Sequence, residues 1–171
     1  MKINLRPIML EDGHYIVKWR NTPSVSAHCL NRCPITLESN ENFFHSKIET
    51  GAYLQFIVET INEDNSFKPY PIATCYLKDI DRNNKRCELC IFTSDEQEWN
   101  TESQTEAIKL LLDKAFNELE MHKVYSYIFY KFLDEADLLR NAGFEIEAVL
   151  KAEALGSEGC YDDVIRFSIT R

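Results

Sequence analysis

Long apolar runs are missing from this sequence. No stretch approaches the roughly 18 consecutive apolar residues of a membrane-spanning helix. The N-terminal MKINLRPIMLEDG interrupts its short apolar stretch with Arg6 and follows it with acids, unlike a secretory signal. A cytoplasmic protein with no membrane partner is the expectation. Basic residues are also short: 19 Lys and Arg stand against 28 Asp and Glu, a net charge of −9. Nucleic-acid phosphate is therefore a poor partner, because holding it takes clustered cations. An acidic surface favours amines or basic peptides instead. A complete set of metal ligands is lacking too. Cys29 and Cys33 lie near His28, and Cys87 and Cys90 form a CxxC. RCELCIF reads as a strand, however, where residues three apart face opposite ways, and no second CxxC or HxxxH completes a zinc set. Reduced structural cysteines and no metal are expected. Glycine is scarce as well, with five residues in all, and EWNTESQTEAIKLLLDKAF (98–116) contains none.

What is present is an ordinary globular composition, 44% apolar and 27% charged over 171 residues. That length suits one domain, 1–171, able to bury its own core as a monomer or homodimer. KINLRPI (2–8) reads as a strand, and residues 11–21 place Tyr15, Ile16 and Trp19 at helical spacing. Residues 21–34 read as a long loop or short broken helix. A helix over 35–51 has Thr36 or Ser39 as its N-cap and Gly51 as its stop. Three β-like runs follow at 52–61, 71–80 and 87–94, spaced as an antiparallel meander. Then come a helix from about 103 to 120, a strand at 123–131, a short helix at 133–143 and two closing strands. This is an α+β order with a mostly antiparallel mixed sheet flanked by helices on both faces.

Several short motifs recur in a recognisable order: LRP (5–7), KWRN (18–21), PITLE (34–38), PIATCYLKDID (71–81), CELCIF (87–92), TEAIKLLLDKAF (105–116), HKVY (122–125), NAGF (141–144) and YDDVIRFSI (161–169). Together they resemble the GCN5-related N-acetyltransferases (GNATs), in the branch that includes the ribosomal-protein N-terminal acetyltransferases. The resemblance implies the GNAT fold and acetyl transfer from acetyl-coenzyme A (acetyl-CoA) to an amine, either a small molecule or a peptide N-terminus. It implies that Glu88, on the central strand, or else a water chain, is the base that deprotonates the amine. Backbone at Ile91, Phe92 and Thr93 would hold the pantetheine arm. The turn at Glu102, Ser103, Gln104 and Thr105 would meet the pyrophosphate at a helix N-terminus. Trp19, Arg20 and Asn21, with Tyr161 and Asp163, would line the acceptor side.

The chain also departs from that pattern. The branch's loop commonly reads W-G-K-G-Y-G-T-E-A; here Asn100, Glu102 and Gln104 replace the three glycines and Thr101 replaces the base. The family's usual asparagine falls at Phe132 and its frequent tyrosine at Leu139. A Glu102 carboxylate about 5 Å from a phosphate, at an effective dielectric near 20, would repel it by roughly 3 kcal/mol, unless the side chain swings into water. Ser103 and Glu106 also have the spacing of a capping box, which would complete the helix N-terminus without an anion. The loop thus leaves two readings open. One is an acyltransferase with an altered pyrophosphate loop; the other is a GNAT-fold binding or interaction module that has lost catalysis.

Overall fold

The computed structural model describes residues 2–61, 68–91, 94–156 and 159–171. The chain runs β1 (Ile3–Pro7), a 3-10 turn, α1 (Gly13–Arg20), α2 (Pro23–Ala27), α3 (Leu37–Phe43), β2 (Leu54–Thr60), β3 (Pro71–Asp81), β4 (Arg86–Ile91), α4 (Thr101–Asp113), β5 (Lys123–Phe129), α5 (Asp137–Asn141), β6 (Glu145–Leu155) and β7 (Tyr161–Thr170). The strands form one seven-stranded sheet in the order β1-β2-β3-β4-β5-β7-β6. Every neighbouring pair is antiparallel except β4–β5. The mixed, mostly antiparallel α+β architecture is the one expected.

Alternation along the strands sorts side chains onto two faces. On β2, Phe56 and Val58 join the larger core, whereas Ile57 points the other way, to Ile8, Ile16 and Trp19. The larger core is closed by α4, whose Ala107, Ile108, Leu111 and Leu112 are buried at the spacing of a single helix face. The opposite face is covered by α1, with Phe44 and Ile48 from the π-turn that ends α3. Thr36 caps α3 in a reciprocal box with Ser39, and the segment stops at Gly51, whose φ of +72° suits a residue without Cβ. An ion-pair knot fixes the entry to α1. Arg6 reaches both oxygens of Asp12 at 2.9 Å and Oε1 of Glu59 at 2.8 Å.

Of the two readings left open for residues 21–34 the short helix is the one found, while the expected start and cap of the long helix are corrected. Residues 21–34 contain the short helix α2. The long helix starts at Thr101 rather than near 103, and its cap is not a Ser103–Glu106 box. Asn100, in extended backbone, accepts from the N–H groups of Glu102 and Ser103 at 3.1 and 3.2 Å. With that partner two residues earlier, Ser103 falls inside the first turn. Its hydroxyl donates to the carbonyls of Glu98 and Asn100.

Candidate active site

The parallel strands β4 and β5 are paired only over Arg86–Lys123, Cys87–Val124 and Glu88–Tyr125. Beyond that point they separate, although each keeps its outer neighbour: Ile91 pairs with Cys75, and Phe129 with Val164. The result is a wedge within the sheet, whose two inner edges have no strand partner among the described residues. A cavity of about 590 Å³ occupies it, lined by Leu89, Cys90 and Ile91 on one side and by Ser126 to Phe129 on the other. Gln104 and Ile108 of α4 reach the same cavity, as do Arg20 of α1 and Tyr53, Tyr76, Lys78 and Glu88.

Residues 28–33 bring a loop over the cavity, and its placement follows from contacts of three residues. Asn21 closes the loop by bonding the N–H and the carbonyl of Ile35 at 2.9 and 2.8 Å. The Arg32 guanidinium lies 4.7 Å above the Phe129 ring and donates to the carbonyl of Leu155. His28 stacks on Phe132 at 4.1 Å. Phe132 and Leu139, at the positions where the family pattern has asparagine and tyrosine, present apolar surface to the cavity.

At the apex of the wedge sits Glu88, 5% exposed. Its Oε1 is 3.2 Å from Nζ of Lys78 and 3.1 Å from Sγ of Cys90. Burial raises the Glu88 pKa above the usual carboxylate range, while Cys90 and Lys78 hold it back. Burial likewise pushes the Cys90 thiol well above its ordinary value, with Glu88 adding to the effect. Lys78 stays charged: burial opposes its ammonium, but Cys90 and Glu88 more than compensate. Among the described residues, the charged groups lining the cavity are Arg20, Lys78 and Glu88.

Of the residues expected to form the site, Glu88, Ile91, Gln104 and Arg20 meet at this cavity. Phe92 and Thr93 lie outside the described residues. Ser103 is buried in the first turn of α4, Glu102 is exposed there, and the hydroxyl of Thr105 bonds the carbonyl of Thr101. Trp19 is core, 1% exposed, with its indole nitrogen 3.4 Å from Glu96. Asn21 is the loop closure described above. Tyr161 is 69% exposed, away from the cavity lining. Asp163 accepts from Lys151 at 2.7 Å and from the N–H of Ala152 at 2.9 Å, securing a bulge in β6 where Ala152 has φ +49°. Lys78 was not singled out by the sequence, and Cys90 was read there only as a structural cysteine. Cys87 and Cys90 do face opposite sides, and among the described residues no group of three or more His, Cys, Asp and Glu could hold a metal.

The wedge suits the narrow arm of coenzyme A, since among the described residues no strand satisfies the backbone groups along its two edges. The phosphate end is occupied differently. Asn100 already engages two N–H groups of the α4 N-terminus, and the amide of Gln104 bonds the carbonyl of Trp99. An anion there has to displace a neutral carboxamide oxygen, which is a competition rather than a block.

Comparison with known proteins agrees with this architecture. A family model described as an acetyltransferase (GNAT) domain matches residues 2–145. The spermidine N(1)-acetyltransferase of Escherichia coli (strain K12) is 25% identical over 167 residues, covering 98% of this chain and 85% of that protein. A spermidine N-acetyltransferase from Vibrio cholerae, crystallised with CoA and spermine, superimposes with a TM-score of 0.88 at 22% identity, covering 98% of this chain and 95% of the other. A dodecameric structure of a Vibrio cholerae spermidine N-acetyltransferase gives 0.79 at 22%, over 98% and 93%. At that identity the structures speak for the fold. The ribosomal-protein branch is not supported: these relatives are spermidine acetyltransferases, and the short motifs that suggested the branch belong to the shared scaffold. Among the described residues no helix is long and apolar enough to cross a membrane.

Proposed function

Because the chain belongs to the GNAT acetyltransferase family, we propose that it transfers an acetyl group to a primary amine of a small polyamine of the spermidine type. The observation that carries this reading is the buried Glu88 at the apex of an open wedge. Acetyl-CoA supplies the acetyl group as a thioester. Leu89 to Ile91 and Ser126 to Phe129 would line its arm, and Gln104 and the N-terminus of α4 would meet its phosphates. Glu88 takes the proton that the acceptor amine loses as its nitrogen bonds the acetyl carbon, and the raised pKa makes this carboxylate a stronger base. The thioester C–S bond breaks and coenzyme A leaves as a thiolate protonated from solvent. Arg20 walls the acceptor side.

The polyamine assignment draws on the relatives and on the net charge of −9, which attracts polycations over long range. The cavity itself limits how the substrate enters. With Glu88 already paired to Lys78, a second buried cation would be costly. Only the reacting nitrogen enters, uncharged, and the remaining ammonium groups stay toward solvent.

The test is to incubate the protein with acetyl-CoA and, separately, spermidine, an N-terminal peptide and an aminoglycoside. Thiol release and product mass are followed for each. Monoacetylated spermidine with one coenzyme A released per product is expected. Absence of turnover with every acceptor, together with no acetyl-CoA binding by calorimetry at millimolar concentration, would favour the non-catalytic module. The altered loop gives a second prediction. Asn100→Gly frees the N–H groups of Glu102 and Ser103, and calorimetry should find coenzyme A bound roughly fivefold more tightly, the worth of about one net hydrogen bond. Unchanged or weaker binding would mean that these N–H groups do not meet the phosphates.

A further inference from the structure

Two side chains that the reading above gives no part in the proton transfer converge on one atom. Lys78 on β3 and Cys90 on β4 both contact Oε1 of Glu88, at 3.2 and 3.1 Å. Among the described residues nothing bonds Oε2, which is also absent from the polar atoms that are sealed without a partner. Glu88 lines the cavity, so Oε2 is the oxygen open to it. A carboxylate held by neither oxygen rotates and presents either one, whereas two donors on Oε1 fix the plane of the group. Tyr76 extends the arrangement, its hydroxyl bonding the Cys90 sulfur. We propose that Lys78 and Cys90 are positioning residues for acetyl transfer: together they clamp Oε1 of Glu88 and leave Oε2 to meet the acceptor nitrogen.

This inference rests on Glu88 being the base. The clamp also sets when that base is ionised. Burial favours the protonated carboxyl, and Cys90 and Lys78 oppose it, keeping Glu88 able to accept a proton at lower pH than burial alone allows. The other groups facing it act more weakly or stay neutral. Asp79 works against ionisation from β3. Tyr53, Tyr76, Tyr125 and Tyr127 all have phenols pushed above their usual value, first by burial. From the helical side, Arg20, His28 and Cys29 line the same cavity without being among the contacts of Oε1.

Two readouts test the clamp: the pH profile of kcat/KM, and 13C NMR titration of the Glu88 carboxyl in protein free of coenzyme A. In Lys78→Met the acidic limb and the carboxyl midpoint should both move to higher pH by about one unit or more, and Lys78→Arg should restore both. Cys90→Ala should move them the same way by less, and Cys90→Ser should keep them in place. If Lys78→Met does not fold, the cysteine pair carries the test on the same criteria. Activity falling equally at every pH, with both midpoints unmoved, would overturn the clamp while leaving a dead Glu88→Gln enzyme to uphold the base. Full turnover in Glu88→Gln would instead overturn the base assignment on which the clamp rests.

Discussion

Glu88→Gln is expected to lower kcat by about 10²–10⁴-fold, the usual contribution of a positioned general base. The effect should appear in kcat rather than in the affinity for acetyl-CoA, because the carboxylate lies at the apex of the wedge whereas the proposed path of the coenzyme's arm follows its edges. The amide preserves volume and can still receive a hydrogen bond from Lys78 or Cys90 on its oxygen. It cannot take a proton. A modest loss of stability should accompany the change, since Lys78 then faces a neutral partner with 23% of its side chain exposed. Single-turnover acetylation of spermidine, with calorimetric binding of acetyl-CoA as control, measures both. Retention of more than about one-tenth of the wild-type rate would fall outside the general-base range and assign the proton transfer to another group.

Trp19→Ala is expected to cost about 3–5 kcal/mol of stability, the range for truncating a large buried aromatic. Trp19 is 1% exposed and forms a compact core with Ile8, Ile16 and Ile57 under α1. Its ring stacks on Tyr15 at 5.5 Å, and Glu96, which its indole approaches, also pairs with Lys18 at 2.7 Å. Removing the ring therefore opens a cavity and loosens the attachment of the segment after β4 to α1. Urea denaturation followed by tryptophan fluorescence of the remaining Trp99 reports the loss. An unchanged midpoint, combined with a raised KM for the amine, would place Trp19 in the acceptor pocket rather than in the core.

The order of elements was legible in the sequence because the apolar spacing is regular. Ile108, Leu111 and Leu112 mark α4, and the alternation around Phe56, Ile57 and Val58 marks a strand covered on both sides. Glu88 was legible through its place on the central strand. The Lys78–Glu88 pair was hidden by register. Counting back from the turn, where Asp81 pairs with Arg86, an unbroken ladder would set Lys78 opposite Leu89, on the wrong face for Glu88. A bulge with Asp79 at φ +49° shifts the register by one, so that Lys78 meets Glu88. The cap at Asn100 was obscured for a different reason: Ser103 and Glu106 carry a box-like spacing, and tertiary position decided which residue begins the helix. His45 shows a milder case. Its ring lies 2.9 Å from Glu49, a partner four residues along that the i, i+4 rule could have supplied.

The short β4–β5 pairing has a consequence for the molecule as a whole. Three residue pairs stitch β1-β2-β3-β4 to β5-β7-β6, so the sheet is two half-sheets joined by a seam. On the proposed reading, a coenzyme arm lying in the wedge and bonding both inner edges would serve as a temporary strand, lengthening the seam from within. Ligand and protein would then complete one another's hydrogen bonding, and the cohesion between the halves would rise and fall with each turnover.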